Sequence, residues 1–516
     1  MSLVRSTATI GGYTMISRVL GFLRDVTIAS SLGASFLSDA FLVAFKLPNF
    51  LRRLFAEGAF NSAFVPQFAG MMATEGSDAA KRFSSEAMSF LLLVLLIVSG
   101  LFILAMPWLM YVLAPGFSDD PAKFDLTVTL TRITMPYIIF ISLVSLLGGI
   151  LNSNNKFAAV AATPIIMNLC LIVVPYCIND ISPSGAHALA IAVIVSGVFQ
   201  WLWLVWFCHK SGVLPRLVRP RLTPDVRKLL LLIGPAALGA GVAQVNLFID
   251  LIIASQFEGG VSYLYYADRI NELPLAVIGI AVGTALLPML SRQVREGKIK
   301  EAHHSQNRAI EMALFLSLPA AVAIVIIAQP IISVMFERGE FTNADTLATF
   351  PALQAFAMGL PAFILVKIFA PGFYAHQDTK TPFKIAAACI GVNLLFNLIL
   401  MYPFRHVGMA MATSIAGWAN VGLMVYVLGK RGWIAIDQEL GRQVGKILTS
   451  CGAMALVLVV FKWLMRGYFH EDEMTRFAAL IGLSMLGFFA YAGTALALNP
   501  LDIRRHAARL LPRKRP

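Results

Sequence analysis

Apolar residues fill this chain in runs of about twenty, the length a helix needs to cross roughly 30 Å of hydrocarbon. Short polar connections separate them. Six runs fall at 7–31, 36–66, 84–113, 126–152, 158–178 and 186–208, and six more at 229–257, 262–290, 309–336, 350–374, 383–402 and 407–428. Two follow at 445–465 and 475–498. The pattern predicts an all-α integral membrane protein with 14 transmembrane helices.

The two groups of six echo one another. Ile28-Ala29-Ser30 recurs as Ile253-Ala254-Ser255, Pro136 as Pro361 and Asn168-Leu169 as Asn393-Leu394, each 225 residues later. Ala63 to Pro66 resembles Ala285 to Pro288 at an offset of 222. Repeats of this size mark transporters. Six spans return the chain to its starting side, so the expectation is two six-helix lobes as parallel repeats plus two C-terminal helices. The boundaries read as an N-terminal lobe at 1–210, a C-terminal lobe at 211–430, and spans 13 and 14 with a basic tail at 431–516.

Charge interrupts the apolar pattern most sharply in the first two spans. Arg18, Arg24, Asp25, Asp39, Lys46, Arg52, Arg53 and Glu57 all lie there. A charge at the bilayer centre costs about 2.5–3.5 kcal/mol on insertion scales, so these side chains are expected to face protein or water. Asp39, Lys46, Asn49, Arg53 and Glu57 are spaced 7, 3, 4 and 4, one stripe of a helix in which Pro48 predicts a kink or a break. Pairing of Asp39 with Lys46, or of Arg53 with Glu57, would merely lock helices together. Across the set, however, cations outnumber acids five to three. Span 8 offers Ser262, Tyr266, Arg269 and Glu272, and span 10 adds Lys367. If the two halves face each other, Arg18, Arg24, Arg52 and Arg269 surround one cavity. Guanidinium forks bind phosphate oxygens in pairs, so that cavity suits an anion such as a diphosphate.

Composition supports the membrane class: 58% hydrophobic and 13% charged residues, with a mean hydropathy of +0.75. The net charge of +13 does not mark a nucleic-acid surface, because its basic residues gather in alternate connections and in the tail (Arg504 to Arg515). This positive-inside pattern places both termini in the cytoplasm. The N-terminus lacks the features of a removable signal peptide, so span 1 is expected to act as its own insertion signal. The five cysteines have no metal-ligand spacing and read as reduced core thiols. No GxxxxGK[ST], HExxH or GxSxG motif occurs, and no enzyme constellation emerges. Asp250, with Asn246 on span 7, and Asn393 and Asn397 on span 11 have the oxygens to hold Na⁺ or carry a proton. The plainer reading, interhelical hydrogen bonding, is favoured for them.

GFLRD (21–25), SDAFLVAFKLPNFLRRLFAEGAFNSAFVP (38–66), YYADRINELP (265–274) and APGFYAHQDTKTP (370–382) together resemble the MviN/MurJ lipid II flippase family. That family lies within the multidrug/oligosaccharidyl-lipid/polysaccharide exporter superfamily, and the resemblance runs across essentially all of the spans. It implies two lobes around a cationic cavity, with spans 13 and 14 forming a hydrophobic groove. It implies flipping of undecaprenyl-pyrophosphate-linked disaccharide-pentapeptide from the inner to the outer leaflet of the cytoplasmic (inner) membrane for peptidoglycan synthesis. Arg18, Arg24, Arg52 and Arg269 would then meet the diphosphate, and Asp39, Asn49, Ser262 and Glu272 match further polar positions of the family. Asp250, Asn393 and Asn397 resemble a sodium site of some members, which implies coupling to a monovalent cation or to membrane potential. Implied partners are lipid II, membrane lipid and cell-wall synthesis machinery, without nucleic acid. A drug or small-solute antiporter of the same superfamily is the alternative. A membrane glycosyltransferase is a second one, but it would carry a catalytic acid cluster facing one leaflet.

Overall fold

Proline, glycine and capping side chains cut the apolar sequence into helices. The structure, a computed structural model, describes residues 3–53, 60–178 and 180–499. Among the described residues there is no strand. In chain order the helices are α1 (Leu3–Leu32), α2 (Phe36–Leu51), α3 (Asn61–Thr74), α4 (Ser77–Leu113), α5 (Pro121–Thr134) and α6 (Tyr137–Ser153). Then come α7 (Phe157–Ala161), α8 (Thr163–Ile178), α9 (Gly185–Lys210), α10 (Pro224–Ala254) and α11 (Gly260–Arg295). The last five are α12 (Ile299–Phe336), α13 (Asn343–Ala375), α14 (Lys380–Lys430), α15 (Gln438–Leu464) and α16 (Glu473–Leu498). Among the described residues, nine helical segments are long and apolar enough to cross a membrane. The protein is therefore an all-helical, multi-pass membrane protein.

Local chemistry explains the boundaries. Asp120 caps α5 by accepting from the Ala122 and Lys123 amides, and Pro121 fills the first helical position, where no amide proton is needed. Pro136 separates α5 from α6. Thr342 and Asp345 form a reciprocal capping box on α13, while Asp437 and Asp472 cap α15 and α16. The predicted runs at 383–402 and 407–428 join as α14, bent where Arg405 takes φ 49° and ψ −132°.

The chain forms two compact units: Met1–Ser262 with Arg338–Phe341, and Tyr263–Glu337 with Thr342–Pro516. In the first, the stacked rings of Phe60, Phe64, Phe68 and Phe83 tie α3 to α4. The α1–α2 turn closes over the 338–341 segment, where the Glu340 amide donates to the Ser30 carbonyl at 2.9 Å. Gly33 (φ +61°) and Gly339 (φ +57°) permit this approach: a Cβ on the first would collide with the Glu340 carbonyl and one on the second with the Ser30 carbonyl. In the second unit α15 and α16 pack on α12 through Ile447, Cys451, Met454, Leu458, Leu480 and Leu483. The Tyr491 hydroxyl donates to the Phe315 carbonyl at 2.7 Å.

The α13–α14 connection carries a polar clasp. Asp378 accepts from Arg431 at 2.5 Å and from the Thr381 amide at 2.9 Å, and Arg431 lies 4.7 Å from the Trp433 ring centre. Hydrogen bonds from the Thr381 side chain, from Arg431 and from the Thr381 amide hold the Asp378 carboxyl well below the usual carboxylate range. A depressed folded-state pKa contributes stability above the ordinary value of about 4, and that stability is lost as pH falls through the folded value. We expect Thr381 amide protection from hydrogen exchange to hold from neutral pH down to about pH 4 and to weaken below it. In Asp378→Ala, which removes the acceptor, that protection should already be lost at neutral pH; an unchanged variant would show that the clasp does not order this loop.

Candidate functional site

Arg24 is only 6% exposed. Its guanidinium folds back on its neighbour, with Nη2 2.6 Å and Nε 3.0 Å from Asp25 Oδ1. Nη1 donates to Asn168 Oδ1 on α8 at 3.0 Å, and Asn168 in turn donates to the Ser17 carbonyl. Helical spacing puts Arg18, not Arg24, on the Asp25 face, but the arginine stem is long enough to reach its neighbour's carboxylate. Arg18 is half-buried on α1, one and two-thirds turns before Arg24.

α2 continues as a helix through Pro48, so the break the sequence allowed does not occur there. The missing proline N–H orphans the Ala44 carbonyl, and the Thr134 hydroxyl of α5 donates to it at 2.9 Å. Asn49 donates to the Phe45 carbonyl and accepts from Arg52 Nε at 3.2 Å, which fixes the Arg52 fork beside the last turn of α2. Arg53 is exposed, and Glu57 lies outside the described residues.

Asp39 is fully buried, and its two oxygens accept four hydrogen bonds. Oδ1 takes the Ser262 amide at 3.0 Å and the Ser262 hydroxyl at 2.7 Å; Oδ2 takes the Gly259 amide at 3.1 Å and the Lys123 ammonium at 2.7 Å. The ammonium also lies 4.1 Å from the Phe117 ring centre. Two sequence-predicted residues, Asp39 and Ser262, are thus brought together across 223 positions. The partner of Asp39 is Lys123 of α5, a residue that sequence reasoning missed. A usable signal existed: Lys123, Thr127, Thr131 and Thr134 are spaced 4, 4 and 3, a polar stripe on one face of α5, and all four are buried.

In the second unit Arg269 Nη1 and Glu272 Oε2 pair at 2.7 Å on successive turns of α11. Their side chains remain 31% and 47% exposed, and the guanidinium lies 4.8 Å from the Tyr265 ring centre. Tyr266 is buried against Phe336 and anchors this turn. The pair is accessible, unlike the Arg24 and Asp39 networks.

The amide-rich positions are internally bonded. Asn246 donates to Asp250 at 3.2 Å within α10. On α14 Asn397 donates to Asn393 at 2.9 Å, and Asn393 donates to the Thr413 hydroxyl at 3.3 Å. Among the described residues no group of three His, Cys, Asp or Glu side chains is placed to hold a metal.

A cavity of about 1330 Å³ opens between α12, α15 and α16 of the second unit, walled by Phe315, Leu316, Ile327, Met454, Leu458 and Phe488. Its polar end is closed by Arg308, 2.5 Å from Glu311 and 3.1 Å from Asp437.

Known proteins resemble this chain in sequence and in fold. The family model described as lipid II flippase MurJ matches residues 28–478. A probable lipid II flippase MurJ of Rhizobium tropici is 42% identical, covering 100% of this chain and 98% of that protein. The Rickettsia prowazekii protein of the same description is 41% identical over 96% of both. The lipid II flippase MurJ of Burkholderia cenocepacia is 36% identical, over 90% of this chain and 92% of its own. Among solved structures, a lipid II flippase MurJ in an inward closed conformation superposes with a TM-score of 0.78 at 26% identity, covering 96% of this chain and 99% of that one. An inward-facing multidrug resistance MATE transporter of the MOP superfamily gives 0.65 at 15% identity, over 80% and 95%, which shows a shared fold. Matched over nearly its whole length in sequence and in structure, the chain belongs to the lipid II flippase MurJ family.

Proposed function

We propose that this protein is a lipid II flippase that carries the undecaprenyl-diphosphate-linked muropeptide from the inner to the outer leaflet of the cytoplasmic membrane by alternating access. The full-length 42% identity to a probable lipid II flippase is the observation that carries this reading. Arg18, Arg24 and Arg52 of the first unit and Arg269 of the second are the residues assigned to the diphosphate, with Asn49 and Glu272 steering the two more exposed forks. Asp39 and Ser262 act as a closure that sets the start of α11 against α2. The polyprenyl tail stays apolar throughout and is assigned to the cavity of α12, α15 and α16.

The span count behind this proposal is 14, in two parallel six-helix repeats (1–210 and 211–430) followed by a pair (431–516), with both termini cytoplasmic. Supporting it, the kinked α14 is long enough to cross twice, and α1, α2 with α3, α10 and α11 are long enough to supply the other four spans. Moving one charge through 100 mV is worth about 2.3 kcal/mol, enough for membrane potential to reset the empty carrier. Asp250, Asn393 and Asn397 are the proposed site for a coupling Na⁺ or proton. A leaflet-resolved assay tests the function: on depletion, lipid II should accumulate in the inner leaflet while its synthesis continues. Unchanged outer-leaflet lipid II in depleted membranes would favour the drug antiporter instead, and loss of lipid II synthesis would favour a glycosyltransferase.

A further inference from the structure

Lys367 stands out in the second unit as a cation that no ion pair explains. It is the only basic residue of α13 and the only charged one between Asp345 and Ala375. Its neighbours Leu365, Ile368 and Phe369 are buried, yet Lys367 itself is exposed. Among the described residues no carboxylate pairs with it. An ammonium at this depth is too costly to leave in hydrocarbon, so it faces water or a bound anion.

The seat of this lysine is specific. A Cβ at Gly279 of α11 would lie 2.9 Å from Lys367 Cδ and 3.1 Å from Lys367 Nζ. The end of the lysine side chain, from Cδ to Nζ, therefore packs over a bare glycine, in space that a Cβ there would take. Gly279 follows Glu272 by seven residues and so shares its stripe, on the side of α11 that also carries Arg269. Ten residues of helix separate Arg269 from Gly279, roughly 15 Å. One diphosphate, a few ångströms long, cannot touch both cations at once.

We propose that Lys367, seated on Gly279, is a second phosphate-binding station of this unit, on the cytoplasmic side of Arg269. The headgroup would meet Lys367 first and pass to Arg269. A lysine suits such a transient station: it is a compact point charge without the two-pronged fork that makes an arginine contact persistent. The proposal rests on the lipid II reading and on its cytoplasmic termini, which put the C-terminal end of α13 on the inner side.

The test uses the full-length protein in nanodiscs, with undecaprenyl diphosphate as the probe and undecaprenyl monophosphate as the comparison. Lys367→Ala should weaken diphosphate binding about tenfold, and Lys367→Arg should restore most of it. Gly279→Ala keeps the charge but pushes the flexible end of the lysine aside, so a smaller loss of about threefold is expected. Equal affinity for wild type and Lys367→Ala would overturn the station, and wild-type affinity in Gly279→Ala would overturn the seat. In a background with the five native cysteines replaced, Lys367→Cys should react with an anionic thiol reagent applied from the cytoplasmic face, and undecaprenyl diphosphate should protect it. Absence of labelling, or of protection, also counts against the station, including where Lys367→Ala folds poorly. Failure of the wild-type protein to bind the diphosphate at all is a different result, and sinks the lipid II reading instead.

Discussion

Lys123→Ala is expected to lower the thermal stability of the detergent-solubilised protein by several degrees and to reduce flipping with it. The Lys123 side chain is 8% exposed and that of Asp39 is 0% exposed, so the pair is fully withdrawn from solvent. Removing one partner of a buried pair costs about 3–5 kcal/mol, because the charge left behind is neither neutralised nor hydrated. The lower end of that range applies here, since Asp39 would retain its bonds from Ser262 and Gly259. Two controls separate charge from packing. Lys123→Arg keeps a cation but must fit a larger planar head over Phe117, so partial recovery is expected. Lys123→Met combined with Asp39→Asn removes both charges and should recover more stability than either single change, because the desolvation penalty disappears with them. A melting temperature unaffected by Lys123→Ala would mean that the four-bonded carboxylate is held by Ser262 and Gly259 alone.

That network also marks where the sequence could be read and where it could not. Helix positions followed from apolar runs of about twenty, and the connections from the short polar stretches between them, because both signals act within a few residues. The polar stripe of span 2 was legible for the same reason. Partners across helices were not. Asp39 has Lys46 seven residues away on its own face, yet its partner lies 84 residues on, brought in by the packing of α5 against α2. Pro48 read as a break because nothing local could satisfy the carbonyl it frees; the Thr134 hydroxyl that does so is 90 residues distant. Arg24 and Asp25 show the opposite limit. Adjacent residues point to different faces, and only the length of the arginine stem, invisible to a helical wheel, lets them pair.

Arg269→Ala should abolish lipid II flipping while leaving insertion and thermal stability close to wild type. Arg269 and Glu272 are both at least 31% exposed, and an accessible pair contributes only about 0–1 kcal/mol to the fold. Its loss is therefore affordable structurally. Function is another matter: each charge-assisted hydrogen bond to a phosphate oxygen is worth about 1.5–3 kcal/mol, so losing a fork of two lowers transport by a hundredfold or more. Arg269→Lys keeps the charge without the fork and should fall in between. Glu272→Gln releases the guanidinium from its competitor; the diphosphate should bind more tightly and leave more slowly, so affinity rises while turnover falls. Arg24→Ala gives the contrasting signature. Its removal takes a buried ion-pair partner from Asp25, whose side chain is 3% exposed, so stability and flipping should fall together. Measuring melting temperature alongside leaflet-resolved flipping for the two alanine variants distinguishes a diphosphate arginine that the fold does not need from one that also holds the wall together. If Arg269→Ala flips lipid II at the wild-type rate, the assignment of this arginine to the diphosphate fails, whatever Arg24→Ala does.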